Sequence, residues 1–267
     1  MKMTKWTRVG RPMAVGLLLL ILRMIQNKTG FDPATGLSVP SLPGTVLAVC
    51  VVLVLALEYG LALRLPKVRR SFLQNFAPPQ GEVGVLVLGG MLLAAGGCLL
   101  LLESLTSGGG AAAIAAGLLA LASAGGLLSL VKRVRDGGSP GVGPVLPAMF
   151  FGVFLVLTVY LPVSDDPVLA RYYLPVLAAA MSAYAFSQLA GFLRKESSPR
   201  GFTPTANCAL SFSLAAAADW DGQLSLLPLF LGCAAVFAGF LLLQREGDLP
   251  EPAKEDSEDD GPEDEPA

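Results

Sequence analysis

The chain has 267 residues, of which 53% are hydrophobic and only 15% charged, with a formal net charge of −2 and no histidine. Several runs of about 18 or more residues carry no charge, enough at ~1.5 Å per residue to cross a hydrocarbon core of roughly 30 Å. This excludes an ordinary soluble domain, whose helices need a polar face, and the missing histidine removes the usual general base, zinc ligand and pH switch.

Lys2, Lys5, Arg8 and Arg11 precede an apolar run from Met13 to Leu22. A basic stretch before a short apolar one is the pattern of a signal peptide, but Arg23 follows where small residues would mark a cleavage site. The run is expected to be an uncleaved first transmembrane helix over residues 11–27, with Arg23 snorkelling toward the far headgroups. Asp32-Pro33-Ala34-Thr35-Gly36 then carries turn chemistry. The aspartate accepts a nearby backbone N–H, proline presets φ and glycine takes the left-handed position, with Phe31 and Leu37 as short strand ends.

The second helix is expected over 42–65, followed by Arg64, Lys67, Arg69 and Arg70. Val68, Phe72 and Phe76 recur every four residues, which suits a short helix lying in the headgroup region. Helices three (83–102) and four (111–131) are joined by a short link and form an antiparallel pair. Gly90 and Ala94, then Gly109, Ala113 and Gly117, make small-residue rows that let helices approach closely in lipid. After Lys132, Arg133, Arg135 and a glycine-rich break at 137–141 come helix five (142–163) and helix six (168–193), with Arg171, Tyr172 and Tyr173 as interfacial anchors. Residues 205–218 form a short apolar stretch and 224–243 a full span.

Charge placement sets the topology. Bases cluster at the N-terminus, at 64–70, 132–135 and 194–200, and at Arg245, whereas the alternate loops hold mainly acids. By the positive-inside rule the chain is an all-α polytopic helical membrane bundle of about eight transmembrane helices, both termini cytoplasmic. Sixteen of the nineteen bases then lie inside, leaving Arg23, Lys28 and Arg171 outside. Residues 1–245 form the transmembrane domain. Residues 246–267, with eleven acids, four prolines and one lysine, form a disordered acidic cytoplasmic tail.

Two sets of polar residues stand out. Glu58 lies within the hydrocarbon span of helix two, where a carboxylate is costly and faces a bundle interior or cavity, unless it pairs with Arg64 at the interface. Gln188 and Asn207 are its companions in a candidate intramembrane polar site. At an offset of 130 residues, Glu58, Leu63, Arg64, Arg70 and Phe72 fall on Gln188, Leu193, Arg194, Arg200 and Phe202, which raises a parallel repeat of two four-helix halves. The second set is an outer rim in which Arg23, Lys28 and Arg171 face Glu103, Asp165, Asp166 and Asp219. Its bland role is loop-holding ion pairs.

Cys50, Cys98, Cys208 and Cys233 sit in apolar segments without C-x-x-C spacing and read as small buried hydrophobes. No Walker A loop, H-E-x-x-H, EF-hand loop or G-x-S-x-G elbow appears, so no metal, cofactor or nucleic acid is expected. Lys67, Arg69 and Arg70 suit anionic lipid.

The segments TGFDPATGL around Asp32, DPVLARYY (166–173), LAGF (189–192) and the AAD before Trp220 resemble a group of multi-pass membrane proteins of gut clostridia and related Gram-positive bacteria. The resemblance implies a bacterial plasma membrane and no particular activity. The expected function is a non-catalytic membrane or envelope component. The alternative is a small transporter or permease subunit using Glu58 as an intramembrane ion, proton or substrate contact. An enzyme would need an acid–base pair in one cavity, and only Glu58 is available at depth.

Overall fold

The computed structural model describes residues 5–32, 37–65, 67–76, 83–107, 110–136, 141, 143–160, 172–219 and 223–245. The remainder of the Asp-Pro turn (33–36), Asp165, Asp166, Arg171 and the acidic tail lie outside the described residues. Helices run as α1 (Lys5–Thr29), α2 (Leu42–Ala62), the one-turn α3 (Phe72–Asn75), α4 (Val83–Ser107), α5 (Ala111–Arg135), α6 (Leu146–Tyr160), α7 (Tyr173–Leu193), α8 (Pro199–Ala216) and α9 (Leu226–Leu243). A 3-10 turn, Gly143–Val145, leads into α6. Six of these helices (α1, α2, α4, α5, α7 and α9) are long and apolar enough to cross a membrane.

Local chemistry sets several boundaries. Ser41 caps α2 by accepting the Gly44 N–H, with Pro43 in the first turn where its missing donor costs nothing. Ser71 and Gln74 form a reciprocal capping box on α3. Pro199 sits in the first turn of α8, which begins six residues before the expected 205 and reaches 18 residues. α1 is also longer than the expected 11–27. Flanking the Asp-Pro turn, Phe31 pairs with Ser38 in an antiparallel bridge and the Asp32 N–H donates to the Leu37 carbonyl.

α4, α5, α6, α7 and α8 each pack on the next in the chain, and α9 closes the circle against α8 and α4. Of the six long apolar helices α9 is the most enclosed, with 78% of its span buried. α1 packs outside this ring on α8 and α9, and α2 lies outermost on α1 and α8. Only 22% of the α2 span is buried, which leaves most of its surface for lipid.

The closest crossings are made by glycine. A Cβ on Gly89 of α4 would lie 2.8 Å from the Val236 backbone nitrogen of α9, and one on Gly232 would lie 2.9 Å from that of Leu93. Gly97 and Gly117 meet in the same way across α4 and α5. In lipid, where apolar burial gives no drive between helices, such contact supplies the dispersion that holds them. The expected row is therefore only partly the contacting one. Gly117 belongs to it, Gly90 meets Leu128 at an ordinary 3.4 Å, and Gly109 lies outside the described residues.

Two expectations are corrected by the packing. Phe72 and Phe76 do not face lipid: they are buried in an aromatic cluster with Phe192, Phe202 and Phe240, with ring centroids 4.7–6.4 Å apart. Four-residue spacing describes a face without saying what covers it, and here the base of α7, α8 and α9 covers it. The two four-helix halves also do not pack alike. α7 lies along α8, whereas the corresponding pair, α2 and α4, forms no such interface among the described residues.

One end of the bundle gathers four segments. Arg8 Nη1 donates to the Gln244 carbonyl (2.6 Å). The Arg245 N–H donates to the Asn75 carbonyl (2.8 Å), and the Arg70 N–H to that of Ser197 (3.1 Å). The N-terminal turns, the α2–α4 link, the α7–α8 turn and the end of α9 thus touch one another.

Candidate functional site

Two arginines on α1 organise the polar interior, one toward each end. Antiparallel packing of α1 and α2 sets Arg11, early in α1, beside Glu58, one turn before the end of α2. Arg11 Nη2 lies 2.6 Å from Glu58 Oε2. Asn207 of α8 donates from Nδ2 to the same oxygen at 2.8 Å. Glu58 is 4% exposed and Asn207 1%, while the Arg11 side chain is 33% exposed. One turn further along α8, Ser211 donates to the Pro12 carbonyl (2.8 Å), where Gly16 lets α1 close onto the α8 backbone.

The counter-ion of Glu58 is therefore Arg11 rather than Arg64. Arg64 follows the end of α2 and is exposed, with its backbone turned into the terminal hydrogen bonds of that helix. A buried carboxylate draws the nearest cation that can reach it without unwinding a helix, and Arg11 already stands on the neighbouring one.

The arrangement is incompletely satisfied. Both donors converge on Oε2. Arg11 Nε and Asn207 Oδ1 are buried with no hydrogen-bond partner. Gln188 does not join them: its Oε1 accepts from Ser197 Oγ (3.2 Å), and it braces the α7–α8 turn against Gly201.

At the other end, Arg23 is fully buried. Its Nε donates to both oxygens of Asp219 (2.8 and 3.0 Å), and Nη1 donates to Gln26 Oε1 (2.7 Å). Asn27 Nδ2 also reaches Asp219 Oδ1 (2.9 Å), and the guanidinium lies over the Tyr173 ring at 5.5 Å. Of the outer acids, Asp219 takes Arg23, whereas Glu103 receives the backbone N–H of Ser225 (3.1 Å) and its hydroxyl, closing the start of α9. A carboxylate there also meets the positive end of that helix. Lys28 is exposed and forms no ion pair among the described residues.

Arg11, Gln26 and Asn27 were not singled out as site residues from the sequence, Tyr173 only as an interfacial anchor, and Ser211 only as a possible lining residue of a polar cavity with Glu58, Gln188 and Asn207. Gln26 and Asn27 stand three and four residues after Arg23, on one helix face, a spacing that does signal shared contacts. No group of three or more His, Cys, Asp or Glu side chains suited to a metal occurs among the described residues.

An all-helical chain with six such helices and its polar side chains paired across helices has the build of a multi-pass membrane protein. Compared with known proteins, the chain matches no family model, and no curated protein or solved structure is detectably similar to it.

Proposed function

We propose that this is an eight-helix multi-pass protein of the bacterial plasma membrane, both termini cytoplasmic, serving as a non-catalytic membrane or envelope component. The observation that carries the topology is the meeting of the N-terminal turns, the α2–α4 link, the α7–α8 turn and the end of α9 at one end. These segments hold or adjoin Arg8, Lys67, Arg69, Arg70, Arg194, Lys195, Arg200 and Arg245, so by the positive-inside rule that end is cytoplasmic.

α6 and α8 complete the eight. With its 3-10 turn, α6 covers about 28 Å, and α8 trades lipid-facing apolarity for burial within the bundle. Lys67 and Arg69, both exposed, and Arg70 beside them are placed for anionic headgroups. The non-catalytic role is favoured because the deep polar side chains are engaged in holding helices together.

A second reading, a small transporter or permease subunit, is favoured by one observation. Glu58 is a carboxylate within a helix-crossing site that retains unpartnered buried atoms on two neighbouring side chains. The test of topology is a tag at Ala267 with single-cysteine labelling at Lys28 and Lys195. Lys28 reactive from outside, with Lys195 and the tag reactive only after permeabilisation, is the expected pattern. An externally accessible tag overturns it.

A further inference from the structure

We infer that Glu58 is a proton-binding site with two hydrogen-bonded states, one paired to Arg11 and the other ringed to Asn207. The inference deepens the transporter reading by naming the ligand, and it rests on that reading's placement of Glu58 within the membrane.

The atoms left over around the site define the second state. A carboxylic acid beside a primary amide forms a ring of two hydrogen bonds, amide N–H to one acid oxygen and acid O–H to the amide oxygen. The first is present, from Asn207 Nδ2 to Glu58 Oε2. For the second the pieces are in place: both observed donors use Oε2, which leaves Oε1 to carry a proton, and Asn207 Oδ1 is a buried acceptor without a partner. A proton on Oε1 supplies the missing donor.

Arg11 has the complementary defect. Its Nε is buried with nothing to donate to, yet the side chain is one-third exposed and stands three residues inside the start of its span at Arg8. Once Glu58 is neutral, the guanidinium can swing to interfacial water, where Nε is hydrated. The proton comes from that same water and forms an O–H bond on Oε1. Arg11 keeps its own proton, so the site gains one positive charge, carried at the interface.

The groups facing Glu58 are few. They are Arg11 from α1 and Asn207 and Cys208 from α8, whereas Tyr59, next to Glu58 on α2, has Thr205, Cys208 and Tyr184 as its neighbours. Arg8 is turned instead to the Gln244 carbonyl. Among the described residues the hydrogen bonds and ion pairs of the Glu58 carboxylate go to Arg11 and Asn207, and none joins it to a second carboxylate.

The test is infrared difference spectroscopy of the full-length protein in lipid nanodiscs, titrated from alkaline to acidic pH. A protonated-carboxyl C=O band should grow on acidification, shift in heavy water and be absent from Glu58→Gln. It should move to higher frequency in Asn207→Leu, which cannot form the ring, and in Arg11→Gln it should already be present at neutral pH. The absence of any E58Q-sensitive band across the titration overturns the inference, as does a band indifferent to N207L. Should R11Q or N207L fail to fold, wild type against the near-isosteric E58Q decides alone. Proton flux in liposomes is read separately. Its absence with the band intact removes the transport reading and leaves the proton site.

Discussion

The two arginines of α1 make opposite bargains with the membrane. Arg23 is fully enclosed, donates to both oxygens of one carboxylate, is braced by Gln26 and lies against an aromatic face. Arg11 is partly exposed, makes one contact to one oxygen and leaves a buried nitrogen unused. Arg11 ties α1 to Glu58 of α2, and Arg23, twelve positions on, ties it to Asp219 just past the end of α8. Burying a charge is tolerable when partners match its donors one for one, and such a site has a single arrangement. A site with donors and acceptors to spare has somewhere else to go. The Arg23 pair is therefore a fixed anchor, and the Arg11 pair a latch.

Breaking the anchor should have the largest effect. Arg23→Ala removes the guanidinium that donates to both oxygens of Asp219 and should cost about 3–5 kcal/mol, whereas an apolar replacement of both partners should recover most of that loss. Thermal unfolding in detergent of R23A against R23M/D219L reads the difference. Gly16→Leu attacks both sites at once by wedging α1 away from α8, since even a Cβ there would stand 2.9 Å from Leu214 and 3.0 Å from the Ser211 backbone. Overpacking of this kind should cost about 1–3 kcal/mol. Ser211→Ala removes only the hydrogen bond to Pro12, on the latch side, and should cost about 1 kcal/mol in the same assay.

The smallest effect has the opposite sign and touches neither site. Lys195 holds φ 60° in the α7–α8 turn, where three N–H groups, from Arg194, Glu196 and Ser197, converge on the Gly191 carbonyl. Lys195→Gly relieves a left-handed strain and should raise stability by about 0.5 kcal/mol, unchanged in an E58Q or R23A background.

Much of the helical layout was legible because charge-free runs and basic clusters report directly on a low-dielectric solvent. Arg23 and Lys28 were visible as exceptions to the charge rule, and Asp219 stood among the four acids open to them. Which acid took Arg23 depended on α1 lying along α8, a long-range packing that no local pattern carries. Glu58 and Asn207 were visible for the same reason as Arg23, as polar groups at depth. Arg11 was one of four N-terminal bases read as the basic stretch ahead of the first apolar run, at the first residue of the expected helix, and the observed start of α1 at Lys5 sets it six residues inside that helix, beside α2. Phe72 and Phe76 misled because lipid and a packed aromatic core select the same side chains. Gln188 entered through the offset-130 alignment, and the unlike packing of the two halves removes its link to Glu58.

The unequal character of the two sites is tested most directly by neutralising each carboxylate in place, comparing the unfolding temperatures of Asp219→Asn and Glu58→Gln in the same lipid at neutral pH. Asparagine at 219 takes the opposing charge from a fully buried guanidinium, while glutamine at 58 keeps an oxygen for the Asn207 amide and leaves Arg11 free to reach water. The account predicts a large loss for D219N and a several-fold smaller one for E58Q. An E58Q protein destabilised as much as D219N would contradict it.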